Sequence, residues 1–214
     1  MSGHYPVLLD LKGKRCVVIG GGKVAQRKVT SLVKANAKVT VVSPDLTKSL
    51  RQMVERKKIH YINDCFKKKY VKEAFLIIGA ANNPEVNHHV FEATSKVNKL
   101  VNIVDSPDKC NYIVPSVIKR GDLLISVSTG GKSPALAKKI RKELEKQFGR
   151  AYGDFLLLME ELRHKVFAQF QDTKYRNKIF QALVDSEILD LFEKGRKQEA
   201  KKKAEKIMSC FSQK

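Results

Sequence analysis

Short apolar runs alternate with apolar residues at helical spacing through the first half of the chain. Arg15 to Ile19 (RCVVI), Lys38 to Val42 (KVTVV), Lys58 to Ile62, Phe75 to Gly79 (FLIIG) and Leu100 to Val104 (LVNIV) read as five short strands. Between the first two, Val24, Ala25, Val29, Leu32 and Val33 mark one side of a helix. Strands that alternate with helices predict parallel βαβ units. Their uniformly apolar character predicts a sheet covered on both faces.

The pattern changes near Cys110. Tyr112 to Ile118 and Leu123 to Ser128 read as two strands joined through Lys119-Arg120-Gly121-Asp122, a hairpin spacing with a glycine. A helix then starts with Ser133 as N-cap and Pro134 at its first position. Leu136, Ile140 and Leu144 carry its apolar stripe, and Gly149 ends it. From Gly153 onward the spacing is helical, with one stripe of Phe155, Leu158, Leu162 and Val166 and another of Ile179, Leu183 and Leu191. Lys194 to Lys206 reads as a solvated, lysine-rich helix face. The expected fold class is α/β: a Rossmann-type parallel sheet over residues 1–110, a small α+β dimerisation segment over 111–149, and a helical C-terminal domain over 150–214.

Composition adds constraints. Of 214 residues, 43% are hydrophobic, enough for a packed core. No apolar run approaches the roughly 18–20 residues that cross a bilayer, and Met1 to Leu11 lacks the charged start and cleavage site of a signal peptide. No membrane partner is expected, and the expected location is cytoplasmic. Cys16, Cys65, Cys110 and Cys210 stand far apart with no C-x-x-C pair, so reduced thiols acting as small apolar residues are expected. His88 and His89 are adjacent and make a poor metal pair, and no metal site is expected. The charge is unusual: 42 Lys and Arg against 22 Asp and Glu give +20. Such an excess draws a polyanion, whether nucleic acid, an anionic surface or a polycarboxylate.

Specific chemistry first appears at Val17-Val18-Ile19-Gly20-Gly21-Gly22-Lys23-Val24-Ala25, a G-x-G-x-x-A pattern between a predicted strand and a predicted helix. That context marks a dinucleotide site. Gly20 allows the turn, Gly22 lets backbone approach a pyrophosphate, and Ala25 allows close helix packing. Lys23 and Val24 open the helix whose N-terminus faces the phosphates. Ser43, Pro44 and Asp45 end the second strand. Ser43 holds the usual place of the ribose-binding acid, Asp45 comes slightly late, and the absence of arginine there favours NAD over NADP. Ala80, Ala81 and Asn82 would let the cofactor lie across the crevice, while Asn83 and Pro84 start a helix.

These residues belong to a longer set. Tyr5-Pro6-Val7-Leu8-Leu9-Asp10-Leu11, Val18 to Lys28, Ala80 to Asn83 with Val86-Asn87, Val101-Asn102-Ile103-Val104-Asp105, Val114-Pro115-Ser116 and Ser128 to Ala137 follow in order. Through them the chain resembles the precorrin-2 dehydrogenase family of sirohaem synthesis, up to about Gly149. The resemblance implies NAD-dependent oxidation of precorrin-2 to sirohydrochlorin by a homodimer. Some relatives fuse a methyltransferase, an activity not expected in a chain ending at 214. Others also act as a ferrochelatase, inserting iron into sirohydrochlorin, and the sequence leaves that open. Precorrin-2 carries carboxylates around its ring, so a basic cleft would bind and steer it. Much of the positive charge has no such explanation.

Asp105 ends the fifth strand, at the edge where ligands of open α/β sheets bind. Read alone, Asp105-Ser106-Pro107-Asp108 is a turn whose aspartate caps its own backbone. The resemblance instead makes Asp105 the general acid/base. Ser128, Gly130, Gly131 and Lys132 form an anion-binding loop before the Ser133 helix, suited to a substrate carboxylate. The competing class is an NAD-sensing regulator that binds nucleic acid through the basic tail. No helix-turn-helix pattern flanks the glycine turn, so nucleic acid is not an expected partner.

Overall fold

The structure is a computed structural model, described for residues 3–95 and 99–212. The chain divides into two compact units, Met1–Val114 and Pro115–Lys214. The first is built on a parallel sheet of β1 (Arg15–Ile19), β2 (Lys38–Val42), β3 (His60–Ile62), β4 (Leu76–Gly79) and β5 (Leu100–Ile103), in the order β3-β2-β1-β4-β5. The helices are α1 (Lys23–Lys34), α2 (Lys48–Glu55) and α3 (Pro84–Ser95). Alternate strand residues feed two cores. Cys16, Val18, Val39, Val41, Leu76 and Ile78 pack under α1 and α2, while Val17, Ile19, Ile77, Val101 and Ile103 pack with Val90 of α3. The sheet is therefore covered on both faces, as its apolar strands predict.

Register decides where chemistry can sit. Ile19 pairs with Val42 and Gly79, and Gly79 pairs with Ile103, so the strands finish level with one another. The chain segments leaving them form one carboxyl-end surface, the ligand side of such sheets.

In the second unit, β6 (Ser116–Arg120) and β7 (Leu123–Val127) form an antiparallel hairpin beside α4 (Pro134–Gln147). The strand expected from Tyr112 starts only at Ser116 and runs on to Arg120. Asn111 explains the late start: its side chain accepts from Val101 N–H (2.8 Å) and donates to the Lys99 carbonyl (2.6 Å), holding the segment along the edge of β5. Tyr112 packs into the core of the first unit instead. Arg120 pairs with Leu123, leaving a two-residue turn with Gly121 at φ +58°, a geometry that suits glycine first.

The remaining helices are α5 (Ala151–Gln169), α6 (Thr173–Val184), α7 (Ile188–Glu193) and α8 (Lys197–Ser212). Phe155, Leu158, Leu162 and Val166 pack against Ile179 and Leu183 as expected. The second stripe breaks between α6 and α7: Ile188 and Phe192 take the inward places, and Leu191 is half-buried. Nor is the lysine-rich tail only solvated. Ala200, Ala204 and Met208, four apart, bury one side of α8 while its lysines face outward. Of the four free cysteines only Cys16 is fully buried; Cys65 and Cys210 are exposed and do not serve as core residues.

Candidate functional site

The carboxyl ends of β1, β2 and β4 enclose a cavity of about 480 Å³ in the first unit. Eight of the ten residues expected to bind a cofactor line it: Gly20, Gly22, Ser43, Pro44, Asp45, Ala80, Ala81 and Asn82. Lys23 and Val24 do not. They form the first turn of α1, and what they offer is backbone.

Three consecutive glycines do three different jobs. Gly20 has φ +114°, and a Cβ there would lie 2.3 Å from the Ala80 carbonyl oxygen. A Cβ on Gly21 would lie 1.8 Å from the Asp45 carbonyl oxygen, because the 44–47 loop closes onto the turn. Thr47 fixes that closure: its N–H donates to the Gly21 carbonyl (3.0 Å) and its hydroxyl to Gln26 Oε1 (2.7 Å). Gly22 is different. Its backbone is extended (φ −80°, ψ −175°), open to any residue, and a Cβ would meet only Asn82 Oδ1 at 3.6 Å. The protein does not need glycine here for its own packing; the space a side chain would fill is cavity.

Gly22 is also the N-cap of α1 and provides no side-chain acceptor. The first N–H groups of a helix lack intrahelical partners, so those of Lys23 and Val24 are available to an anion. A dinucleotide pyrophosphate fits this arrangement. Asp45 is exposed on the wall, while Ser43 is buried with its carbonyl accepting from the Tyr61 hydroxyl (3.0 Å). No lysine or arginine is among the lining residues.

The sequence reading missed several parts of this wall. Asn87 donates to the Ala81 carbonyl (3.0 Å) and accepts from Ala81 N–H (3.1 Å), fixing the 80–82 segment. The sequence offered Asn87 only as part of the family resemblance, with nothing in its spacing to show that role. Asp64, Cys65 and Phe66 close the cavity from the end of β3. Hydrogen bonds from Lys67 and then Tyr70 hold the Asp64 carboxyl down at about 2. The signal there was the carboxyl end of the weakest strand. Asn83 caps α3 as expected, accepting from Glu85 N–H (2.8 Å).

Asp105 lies just past β5. Its φ is +60°, unusual for a residue with a side chain. The Cys110 thiol holds the turn, accepting from Ile103 N–H (3.2 Å) and lying 3.2 Å from the Ser106 carbonyl. Burial raises that thiol's pKa. The Asp105 carboxylate is exposed and has neither hydrogen bond nor ion pair among the described residues; the backbone capping that a turn aspartate commonly provides is not made. A strained backbone presenting a free carboxylate is an arrangement found at reactive sites.

Ser128, Gly130, Gly131 and Lys132 lie together in a loop of the second unit. Gly130 (φ +62°) and Gly131 (φ +83°) turn the chain, and Ser128 Oγ accepts from Gly130 N–H (3.2 Å). Ser133 caps α4 through Leu136 N–H (3.2 Å). Ser128, Gly131 and Lys132 are exposed. Among the described residues, no three His, Cys, Asp or Glu side chains gather to hold a metal, and no helix is long and apolar enough to cross a membrane.

Three family models match the chain in succession: an NAD(P)-binding model over residues 7–116, a sirohaem biosynthesis protein central model over 120–147, and a sirohaem synthase dimerisation region over 151–208. The chain belongs to the sirohaem synthase family. Its cavity and glycine turn lie in the NAD(P)-binding region of that family, and α5 to α8 supply the dimerisation region. Siroheme synthase of Thioalkalivibrio sulfidiphilus is 39% identical over 204 residues, and that of Vesicomyosocius okutanii is 37% identical over 198. These matches span 95% and 92% of the chain but 42% of each relative, so the chain corresponds to less than half the length of these sirohaem synthases. Among solved structures, SirC, a precorrin-2 dehydrogenase, superposes with a TM-score of 0.80 at 25% identity, covering 95% of this chain and all of that one.

Proposed function

We propose that this chain catalyses the NAD-dependent dehydrogenation of precorrin-2 to sirohydrochlorin. The observation that carries this reading is the free Asp105 carboxylate at the carboxyl end of a sheet whose neighbouring strands enclose a dinucleotide-sized cavity. The full-length structural likeness to SirC supports it.

The roles follow from position. The open space at Gly22 and the first-turn N–H groups of Lys23 and Val24 receive the pyrophosphate. Ser43, Pro44 and Asp45 line the ribose side, and Ala80, Ala81 and Asn82 the opposite wall. The absence of cationic side chains among the lining residues supports NAD over NADP, whose extra phosphate would meet Asp45 without a counter-charge. NAD⁺, when bound, supplies the hydride acceptor. Removing a hydride from the macrocycle leaves a proton to be lost, and Asp105 takes it, an effect of roughly 10²–10⁴ in rate. The Ser128–Lys132 loop holds a substrate carboxylate.

Residues 1–110 form the NAD-binding domain in this reading, 111–149 a dimerisation segment and 150–214 the helical domain. The chain acts as a homodimer in the cytoplasm, with the tetrapyrrole rather than nucleic acid as its polyanion. Val117 and Leu124 on the hairpin, Leu136 on α4 and Leu157 on α5 are all exposed in the single chain, apolar surface suited to a two-fold interface.

The test is direct. Purified chain, precorrin-2 and NAD⁺ should yield sirohydrochlorin and NADH in equal amounts, with NADP⁺ a poor substitute. A folded protein that binds NADH but leaves precorrin-2 unchanged would defeat the proposal. A ferrous-iron arm of the same assay reads chelation separately.

A further inference from the structure

α1 contains an anomaly that the dinucleotide site does not use. Val24, Lys28 and Leu32 stand four apart along α1, at the edge of the inward side formed by Ala25, Val29 and Leu32. Val24 and Leu32 join the core cluster under the sheet, together with Val104 and Tyr112 from either end of the Asp105 loop. Lys28 therefore borders the core without belonging to it. Its side chain is half-buried, and its ammonium has no hydrogen bond or ion pair among the described residues.

A partly desolvated ammonium without a partner is costly, so proteins normally pair such a group. Burial and then the nearby Arg27 charge lower its pKa, opposed in part by the Asp105 carboxylate. Val24, one turn before Lys28, packs in the same cluster as Val104 and Tyr112, the residues that flank the turn presenting the free carboxylate. Two opposite charges thus border one turn with no hydrogen bond or ion pair to each other or to any other group among the described residues. A ligand that carries a carboxylate next to an ionisable C–H position would satisfy both.

We propose that Lys28 is a substrate-anchoring residue of the Asp105 site, whose ammonium binds a carboxylate of the substrate and so sets the reacting carbon against Asp105. The assignment rests on the functional reading above and gives one of the chain's many lysines a defined task. The acceptor is a carboxylate on the tetrapyrrole periphery. Lys28 moves no proton in this scheme; it fixes position.

The test uses the full chain with Lys28→Met, Lys28→Gln and Lys28→Arg. Uroporphyrin, a stable tetrapyrrole polycarboxylate, serves as the binding probe, followed by fluorescence. Loss of one charge-assisted contact should weaken its binding by about tenfold in Lys28→Met and Lys28→Gln, with Lys28→Arg retaining most of the affinity. NADH binding should be unchanged in all three. With precorrin-2, KM should rise by a similar factor while kcat stays within about twofold. Lys28→Met removes a half-buried charge and should melt at or above the wild-type temperature, so loss of binding cannot be read as misfolding. Unchanged uroporphyrin affinity and unchanged KM in a folded Lys28→Met protein would overturn the proposal. A fall in kcat at constant KM would also overturn it, by showing that Lys28 acts through Asp105. Absence of dehydrogenase turnover with Lys28-dependent uroporphyrin binding would defeat the functional reading and leave the anchor standing. A wild-type chain that neither binds uroporphyrin nor turns over precorrin-2 would overturn both.

Discussion

The cofactor cavity and the Asp105 turn stand at the carboxyl ends of the same sheet, and they are built in opposite ways. In the cavity wall the polar groups that shape it are latched within the chain: Thr47 to Gly21 and Gln26, Asn87 to Ala81, Tyr61 to Ser43. What that wall offers a ligand is backbone and empty space, with no lysine or arginine among its lining residues. At the Asp105 turn the backbone is clamped by Cys110, while the charges of Asp105 and Lys28 have no hydrogen bond or ion pair among the described residues. On the proposed function, the difference teaches how one strongly basic chain would separate two anionic ligands. Helix N–H groups in a fixed shape would meet the dinucleotide, and free charge would meet the substrate.

The glycine run gives the largest effects by which to break this comparison. Gly21→Ala puts a methyl into the Asp45 carbonyl and should cost about 3 kcal/mol of stability, visible as a large drop in Tm. Gly22→Val should fold with a stability within about 1 kcal/mol of the wild type, because only Asn82 Oδ1 is near. It should nonetheless lose NADH binding in a fluorescence titration. If Gly22→Val still bound NADH, or if Gly21→Ala were as stable as Gly22→Val, the division between glycines kept for the fold and glycine kept for the ligand would fail.

A smaller effect sharpens the same contrast. Raising salt from 0.1 M to 1 M shortens the screening length from about 10 Å to about 3 Å. kcat/KM for precorrin-2 should fall several-fold with little change in kcat, since long-range attraction and the half-exposed charges are screened. The NADH dissociation constant should move far less. Equal salt sensitivity of the two ligands, measured on one preparation, would mean that both sites rely on free charge.

The sheet was legible in the sequence because its strands are short, apolar and punctuated: RCVVI and KVTVV are strands to the residue. Tertiary partners decided what was not legible. Asn111 took the expected start of the sixth strand to the edge of β5. The inward side of α8 is made of Ala200, Ala204 and Met208, and alanine among lysines gives little hydrophobic contrast. The candidate cofactor residues were readable as a strand–glycine–helix sequence, but the distinct duty of Gly21 depends on a loop that returns from β2 to meet it. Lys28 was invisible as a candidate because Lys and Arg are abundant in both units. Only its half-buried place at the edge of the core, and the lack of a hydrogen bond or ion pair among the described residues, set it apart.

The most direct test of the account is turnover and cofactor binding measured together on Asp105→Ala. Among the described residues the carboxylate makes no hydrogen bond or ion pair, and the substitution lies outside the dinucleotide cavity. With an alanine at φ +60° the protein should melt a few degrees below the wild type but stay folded, bind NADH with wild-type affinity, and lose roughly 10²–10⁴ in kcat with precorrin-2. Wild-type turnover in that folded, NADH-binding variant would contradict the account and leave Asp105 as an unpaired surface carboxylate.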